Sequence, residues 1–110
     1  MRISEIIEKL SLKLHTSIND DMEIERGYVS EMLSDVMANC PDESLLVTIL
    51  SHENVIAVCI LKDIKFIILA NSRKPNDEML KKALDEDIVI ATAEKNAFQI
   101  SQSLLELNVR

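Results

Sequence analysis

The stretch VIAVCIL, residues 55–61, decides how this chain folds. It lies between two other apolar runs, LLVTIL at 45–50 and IKFIILA at 64–70. By propensity alone its β-branched residues suit a strand. A strand here would have to reach IKFIILA through Leu61, Lys62 and Asp63 as a hairpin, and that join holds neither a glycine nor an Asn-Gly pair. A buried helix of about two turns instead makes the segment a crossover between parallel strands. We therefore read residues 55–61 as helical.

The same alternation extends in both directions. DIVIATA, 87–93, is a third short apolar run, and each run is followed by a polar loop and a helix-like segment. Asn76, after Pro75, is placed to cap DEMLKKALDE, with acids in the first turn and Met79, Leu80, Ala83 and Leu84 on one face. Ala97, Ile100, Ser101, Leu104 and Leu107 form a similar stripe on a last helix. Upstream, Ser4 is the expected cap of a first helix whose face carries Ile3, Ile7, Leu10 and Leu14, although LKLHTSI alternates and competes as a short strand. NDDMEIE reads as an acidic loop and GYV, 27–29, as a strand end. Ser30 is then expected to cap a helix that turns Met32, Leu33, Val36 and Met37 inward and closes at Asn39-Cys40-Pro41. The expected architecture is a single domain over residues 1–110, a three-layer α/β/α fold whose mostly parallel sheet is apolar on both faces.

Composition narrows the function classes. Apolar residues make up 47% of the chain but aromatics only 3%, so Ile, Leu, Val and Met must fill the core. One glycine and two prolines are too few for the many tight turns of an all-β sandwich. A net charge of −7 disfavours a nucleic-acid backbone as partner, and the three aromatic residues offer no stacking platform. No apolar run approaches a membrane span, and MRISEIIEKL lacks a signal-peptide core, so a cytoplasmic protein is expected. Cys40 and Cys59 are not spaced as a redox or zinc pair and are expected to be reduced.

Parallel βα units bring the loops after their strands to one edge of the sheet, where ligands bind. That edge would gather Ser51, His52, Glu53 and Asn54 from one loop, Asn71, Ser72 and Arg73 from the next, and Thr92 and Glu94 from the third. Ser51, His52, Asn54, Asn71, Arg73 and Thr92 are the candidate ligand-binding set, suited to a small anion or polar metabolite. The competing reading needs no ligand: Ser51 or Asn54 caps a helix, Arg73 and Lys74 form a solvated turn before Pro75, and His15 lies at the surface. With two histidines and no ligand at metal spacing, no metal or cofactor is expected. A single glycine excludes the phosphate-binding loop GxxxxGK[ST], GxGxxG and GxSxG, and no cysteine lies near a histidine that would activate it. Nothing in the sequence demands catalysis.

GYVSEMLSDVMANC, LLVTILSHENVIAVCILKDIKFIILAN, PNDEMLKKA and DIVIATAEKNAFQISQSLLELNV together resemble small free-standing DRTGG-domain proteins. The likeness covers about residues 24 to 109 and is diffuse over 1–23. It is most specific in G-Y-V-S-x-x-L-S-x-V-M, which carries Gly27, Tyr28, Ser30 and Ser34, and in T-x-x-x-H-x-N-x-x-A-V, which carries Thr48, His52 and Asn54. Where the naming motif Asp-Arg-Thr-Gly-Gly would stand, this chain has Ser51-His52-Glu53-Asn54-Val55. Such domains are similar in fold to the N-terminal, non-catalytic domain of bacterial HPr kinase/phosphorylase. The resemblance implies a three-layer α/β domain, often dimeric and without activity of its own. We read the chain as a bacterial regulatory or assembly module that binds a protein partner, a small phosphorylated ligand such as an adenine nucleotide, or both. A small enzyme using His52 as base and a pure dimerisation domain are the alternatives.

Overall fold

Residues 54–61 are helical, and they do connect two parallel strands. The computed structural model describes all 110 residues. In chain order the elements are α1 (Ile3–Lys9), β1 (Lys13–Leu14), β2 (Gly27–Val29), α2 (Leu33–Asn39), β3 (Leu45–Thr48), α3 (Asn54–Leu61), β4 (Phe66–Leu69), α4 (Asp77–Asp85), β5 (Val89–Thr92) and α5 (Ala97–Glu106). The sheet order is β1-β5-β4-β3-β2. Strands β2 to β5 are mutually parallel, and β1 runs antiparallel at the β5 edge, with Lys13 opposite Thr92 and Leu14 opposite Ala91.

Each of β3, β4 and β5 is buried along its whole length, so successive side chains feed two separate cores. Leu45, Val47, Phe66, Ile68, Val89 and Ala91 face a layer made by α1 and α5. Leu46, Ile67, Leu69 and Ile90 face α2, α3 and α4 through Val36, Val55, Ile56, Cys59, Met79 and Ala83. The result is the expected three-layer α/β/α arrangement. Helices α2, α3 and α4 share a layer because the strands between them step across the sheet in one direction, and a fixed crossover hand then returns each helix to the same face.

With one glycine, the chain ends its helices on other residues. Ser11, Asp63, Asp87 and Asn108 take φ values of 53°, 54°, 55° and 64° just beyond α1, α3, α4 and α5. The next residue in each case donates its N–H back across the last turn: Leu12 to Ile7 O, Ile64 to Cys59 O, Ile88 to Ala83 O and Val109 to Leu104 O, at 2.9–3.0 Å. Leu12, Ile64, Ile88 and Val109 are all buried. Four helices therefore finish in the same left-handed motif with its apolar anchor.

Several local expectations are corrected. The cap position of α1 is Arg2, and Ser4 instead binds Asp21 through both its N–H (2.9 Å) and its hydroxyl. Leu14 leaves the helix for β1 and is exposed, which settles LKLHTSI as containing a strand. In α2 the cap position is Met32; Ser30 accepts from the Met32 N–H at 3.2 Å in the turn before it. Met32 and Met37 point outward, as does Leu84 on α4, because Val36 with the half-buried Leu33 fills the α2 contact and Met79 with Ala83 fills that of α4. The acidic loop is anchored, with Ile24 buried and Ile3 and Ile24 exchanging backbone bonds with Met22 and Met1.

Candidate functional site

The carboxyl edge of the sheet is where the loops diverge. After β4 the chain enters α4 on one face, and after β5 it enters α5 on the other. A crevice is expected between such loops. Here it is closed by backbone: Asn71 N–H donates to Lys95 O at 3.0 Å and Ser72 N–H to Ala93 O at 2.8 Å. Asn71 and Ser72 both stand at left-handed φ, 57° and 58°, to make that approach.

Thr92, at the end of β5, ties three distant segments together. Its hydroxyl donates to Arg73 O at 2.6 Å, and the His15 Nε2 lies 2.7 Å from the same oxygen. A hydroxyl has one proton, and the Arg73 carbonyl can only accept. The His15 Nε2 must therefore carry the hydrogen and donate it, leaving Nδ1 free. Partial burial lowers the His15 pKa from its ordinary value, and Lys13 and Lys74 nearby lower it further. His15 is placed here by the pairing of β1 with β5 and by its own N–H bond to Ile90 O (2.9 Å), neither of which has a local sequence signal. Lys13 opposes Thr92 in that pairing, so Lys13, His15, Arg73 and Lys74 gather at one corner of an otherwise acidic protein.

On the same row of the sheet as Thr92, through Leu69, stands Thr48. It is fully buried, and its hydroxyl donates to Glu31 Oε1 at 2.6 Å, an oxygen that also accepts from the Ile49 N–H at 2.8 Å. Of the residues that carry the family resemblance, Tyr28 donates to both Asp35 oxygens (2.9 Å); the Asn39 amide, then Ser30 and Tyr28, hold Asp35 below the usual carboxylate range. Gly27 sits at the edge strand without a positive φ, and an added Cβ would meet only the Leu45 and Val109 side chains at 3.6–3.8 Å. Ser34 is exposed.

The Ser51–Asn54 turn is not a side-chain cap. Glu53 occupies the cap position with no capping bond, and Asn54 is the exposed first residue of α3. Backbone bonds make the turn, Val55 N–H to His52 O (3.2 Å) and Ile56 N–H to Glu53 O (3.0 Å). It is stapled to the next loop instead, where Asn76 N–H donates to Ser51 O at 2.9 Å and Asn76 Nδ2 to Glu53 Oε2 at 3.3 Å. The structure thus joins Arg73 to Thr92 directly, with Asn71 in the same turn but bonded to Lys95. It links Ser51 to them only through Asn76, and leaves the His52 ring without a carboxylate to orient it.

The N-terminus of α4, the helix that follows this corner, is not free for an anion. Asn76 Oδ1 occupies the Met79 N–H (2.8 Å), and Asp77 and Glu78 fill the first turn of α4. A cleft of about 370 Å³ at the opposite edge is lined by Glu23, Glu25, Asp42 and Glu43, with Arg26, and its charge repels anions. Burial pushes the Cys59 thiol up to about 12 and raises that of Cys40, so both are unreactive packing groups.

No family model matches the chain, and no curated protein matches it either. A solved structure does: the CBS and DRTGG domains of the regulatory region of Clostridium perfringens pyrophosphatase, complexed with its activator diadenosine tetraphosphate. The TM-score is 0.75 over 94% of this chain, at 16% identity. The likeness is one of fold. This chain spans 45% of the length of that one. Part of a regulatory region and this protein therefore share a chain path.

Proposed function

We propose that residues 1–110 form one non-catalytic regulatory domain of the DRTGG type, bacterial and cytoplasmic, that binds a small phosphorylated ligand and assembles as a homodimer. The observation that carries the ligand reading is the cationic corner of Lys13, His15, Arg73 and Lys74 around Thr92, in a chain with 19 acids and 12 bases. Side chains rather than helix ends would hold the phosphate, and His15 Nδ1, once protonated, adds a donor. Asn71 and Arg73 come from the same left-handed turn, with Ser51, His52 and Asn54 flanking it beyond Asn76. The activator in the pyrophosphatase structure is a nucleotide of this chemical class, which makes adenine nucleotides the first ligands to try. Regulation rather than catalysis fits a corner whose crevice is filled by its own backbone.

Thermal denaturation against adenine nucleotides and sugar phosphates tests this. A ligand at 100 times its dissociation constant adds about 2.7 kcal/mol to the folded state. The melting temperature of the wild type should rise, and that of Arg73→Ala and Lys13→Ala should not. A panel that leaves the wild type unmoved would overturn the ligand reading.

A further inference from the structure

Thr92 decides which nitrogen of His15 carries a hydrogen. Its hydroxyl hydrogen goes to Arg73 O (2.6 Å), so His15 Nε2, 2.7 Å from the same oxygen, must donate. Nδ1 is left with a lone pair. It makes no hydrogen bond within the chain, and no buried side-chain nitrogen or oxygen lacks a partner, so Nδ1 is open to solvent. Protonating this ring therefore adds a donor and a charge without breaking the bond that ties β1 to Thr92. We infer that phosphate binding at the corner takes up a proton at His15, so that the site tightens as pH falls. This rests on the phosphate reading above and gives that site its regulation.

The charges around the ring require such a coupling. Lys13 from β1 and Lys74 from the loop before α4 both act on His15, and no carboxylate offsets them. Arg73, in the same loop, meets Thr92 through its carbonyl. Strand β5 presents the neutral Thr92 to the ring, and the exposed Glu94 lies two residues beyond it. Asp21 and Asp87 are engaged elsewhere, with Ser4 and Asn19. In the free protein, burial and the two lysines thus oppose protonation of the ring. A phosphate held by Lys13 and Lys74 offsets their field and offers an acceptor to Nδ1–H, and both effects favour the charged ring.

The coupling is reciprocal. An anion that favours protonated His15 is itself bound more tightly when His15 is protonated. The His15 pKa lies below its ordinary 6.5 in the free protein and rises on binding. Affinity is therefore highest below the free value, falls as pH rises between the free and bound values, and levels off above the bound one. Lysine and arginine alone would give no such slope, because neither changes charge near neutral pH.

Calorimetric titration with diadenosine tetraphosphate tests this between about pH 5 and 8, where histidine alone among unperturbed side chains changes charge. The phosphates of this probe are all bridging, so its charge is constant over that range and any slope belongs to the protein. Wild-type affinity should fall with rising pH by up to about tenfold per unit, the slope of one proton. The measured heat should also change with the ionisation enthalpy of the buffer, as proton uptake demands. His15→Gln keeps a donor for Thr92 and removes the titration, so its profile should be flat. Lys13→Ala should bind more weakly throughout and keep a slope, and His52→Gln, at the other histidine, should keep the wild-type slope. Circular dichroism confirms that each variant is folded. A wild type that binds the probe at no pH overturns the nucleotide reading and this inference with it. Binding with a flat wild-type profile, or a slope that survives His15→Gln or vanishes with His52→Gln, overturns the proton coupling alone.

Discussion

At the scale of single residues, the two asparagines at 54 and 76 separate a real cap from an apparent one. Asn76 Oδ1 receives the Met79 N–H, so Asn76→Ala should cost about 1 kcal/mol in chemical denaturation. Asn54→Ala should cost nearly nothing, since Asn54 is exposed within the first turn of α3 and caps nothing. Equal costs would contradict this geometry. Asn76 was legible because proline before it and acids after it leave one register for the helix; Ser51-His52-Glu53-Asn54 offers several polar residues, and sequence cannot say which one turns inward. His15 was illegible for another reason: its partner lies 77 positions away. Its folded pKa is depressed, so the unfolded chain binds more protons below the ordinary value of 6.5. The stability linked to neutral His15 is thus complete above pH 6.5 and is lost as pH falls through the lower folded value. In an NMR titration His15 should protonate below 6.5, and phosphate bound at the corner should move it upward. A midpoint at or above 6.5 without phosphate would contradict the burial and the lysine field.

At the scale of elements, the strands were readable because each is a short β-branched run between polar loops, and a strand buried on both faces has to be apolar throughout. Helix α3 was readable only through connectivity, since its composition is that of a strand. The four left-handed helix ends were missed, because the usual signal is glycine and the chain uses Ser11, Asp63, Asp87 and Asn108. The signal available instead was the buried residue after each, Leu12, Ile64, Ile88 and Val109, set one or two places beyond a polar run. A non-glycine residue in this conformation carries a steric cost of roughly 1–2 kcal/mol, less for Asp. Asp63→Gly should therefore leave the stability unchanged or raise it by up to about 1 kcal/mol, part of the relief being offset by a more flexible unfolded chain. A loss above that size would show that the Asp63 side chain, not its backbone, closes α3.

At the scale of the whole molecule, the corner at Thr92 holds β1, β5 and the loop before α4 in one arrangement, and a ligand there would depend on that arrangement. Residues 15, 73 and 92 are joined by one hydroxyl, and a valine of nearly the same shape removes it. Thr92→Val leaves the Arg73 carbonyl and the His15 Nε2 without their partner in a partly buried place, a loss of about 1–3 kcal/mol in unfolding free energy. The apolar core should not change, because Val89, Ile90 and Ala91 keep their neighbours. The defect should instead be local: amide exchange at Asn71, Ser72 and Arg73 should quicken, since these N–H groups bond to Lys95, Ala93 and Ala70 within the same closed turn. Nucleotide-induced stabilisation should fall with it, because the turn that carries Arg73 and Lys74 loses its tether. Thr92→Ser keeps the hydroxyl and should recover most of both effects. If Thr92→Val exchanges as slowly as the wild type at these amides, the backbone bonds alone close the corner, and the threonine would be a packing residue whose hydroxyl has little structural consequence.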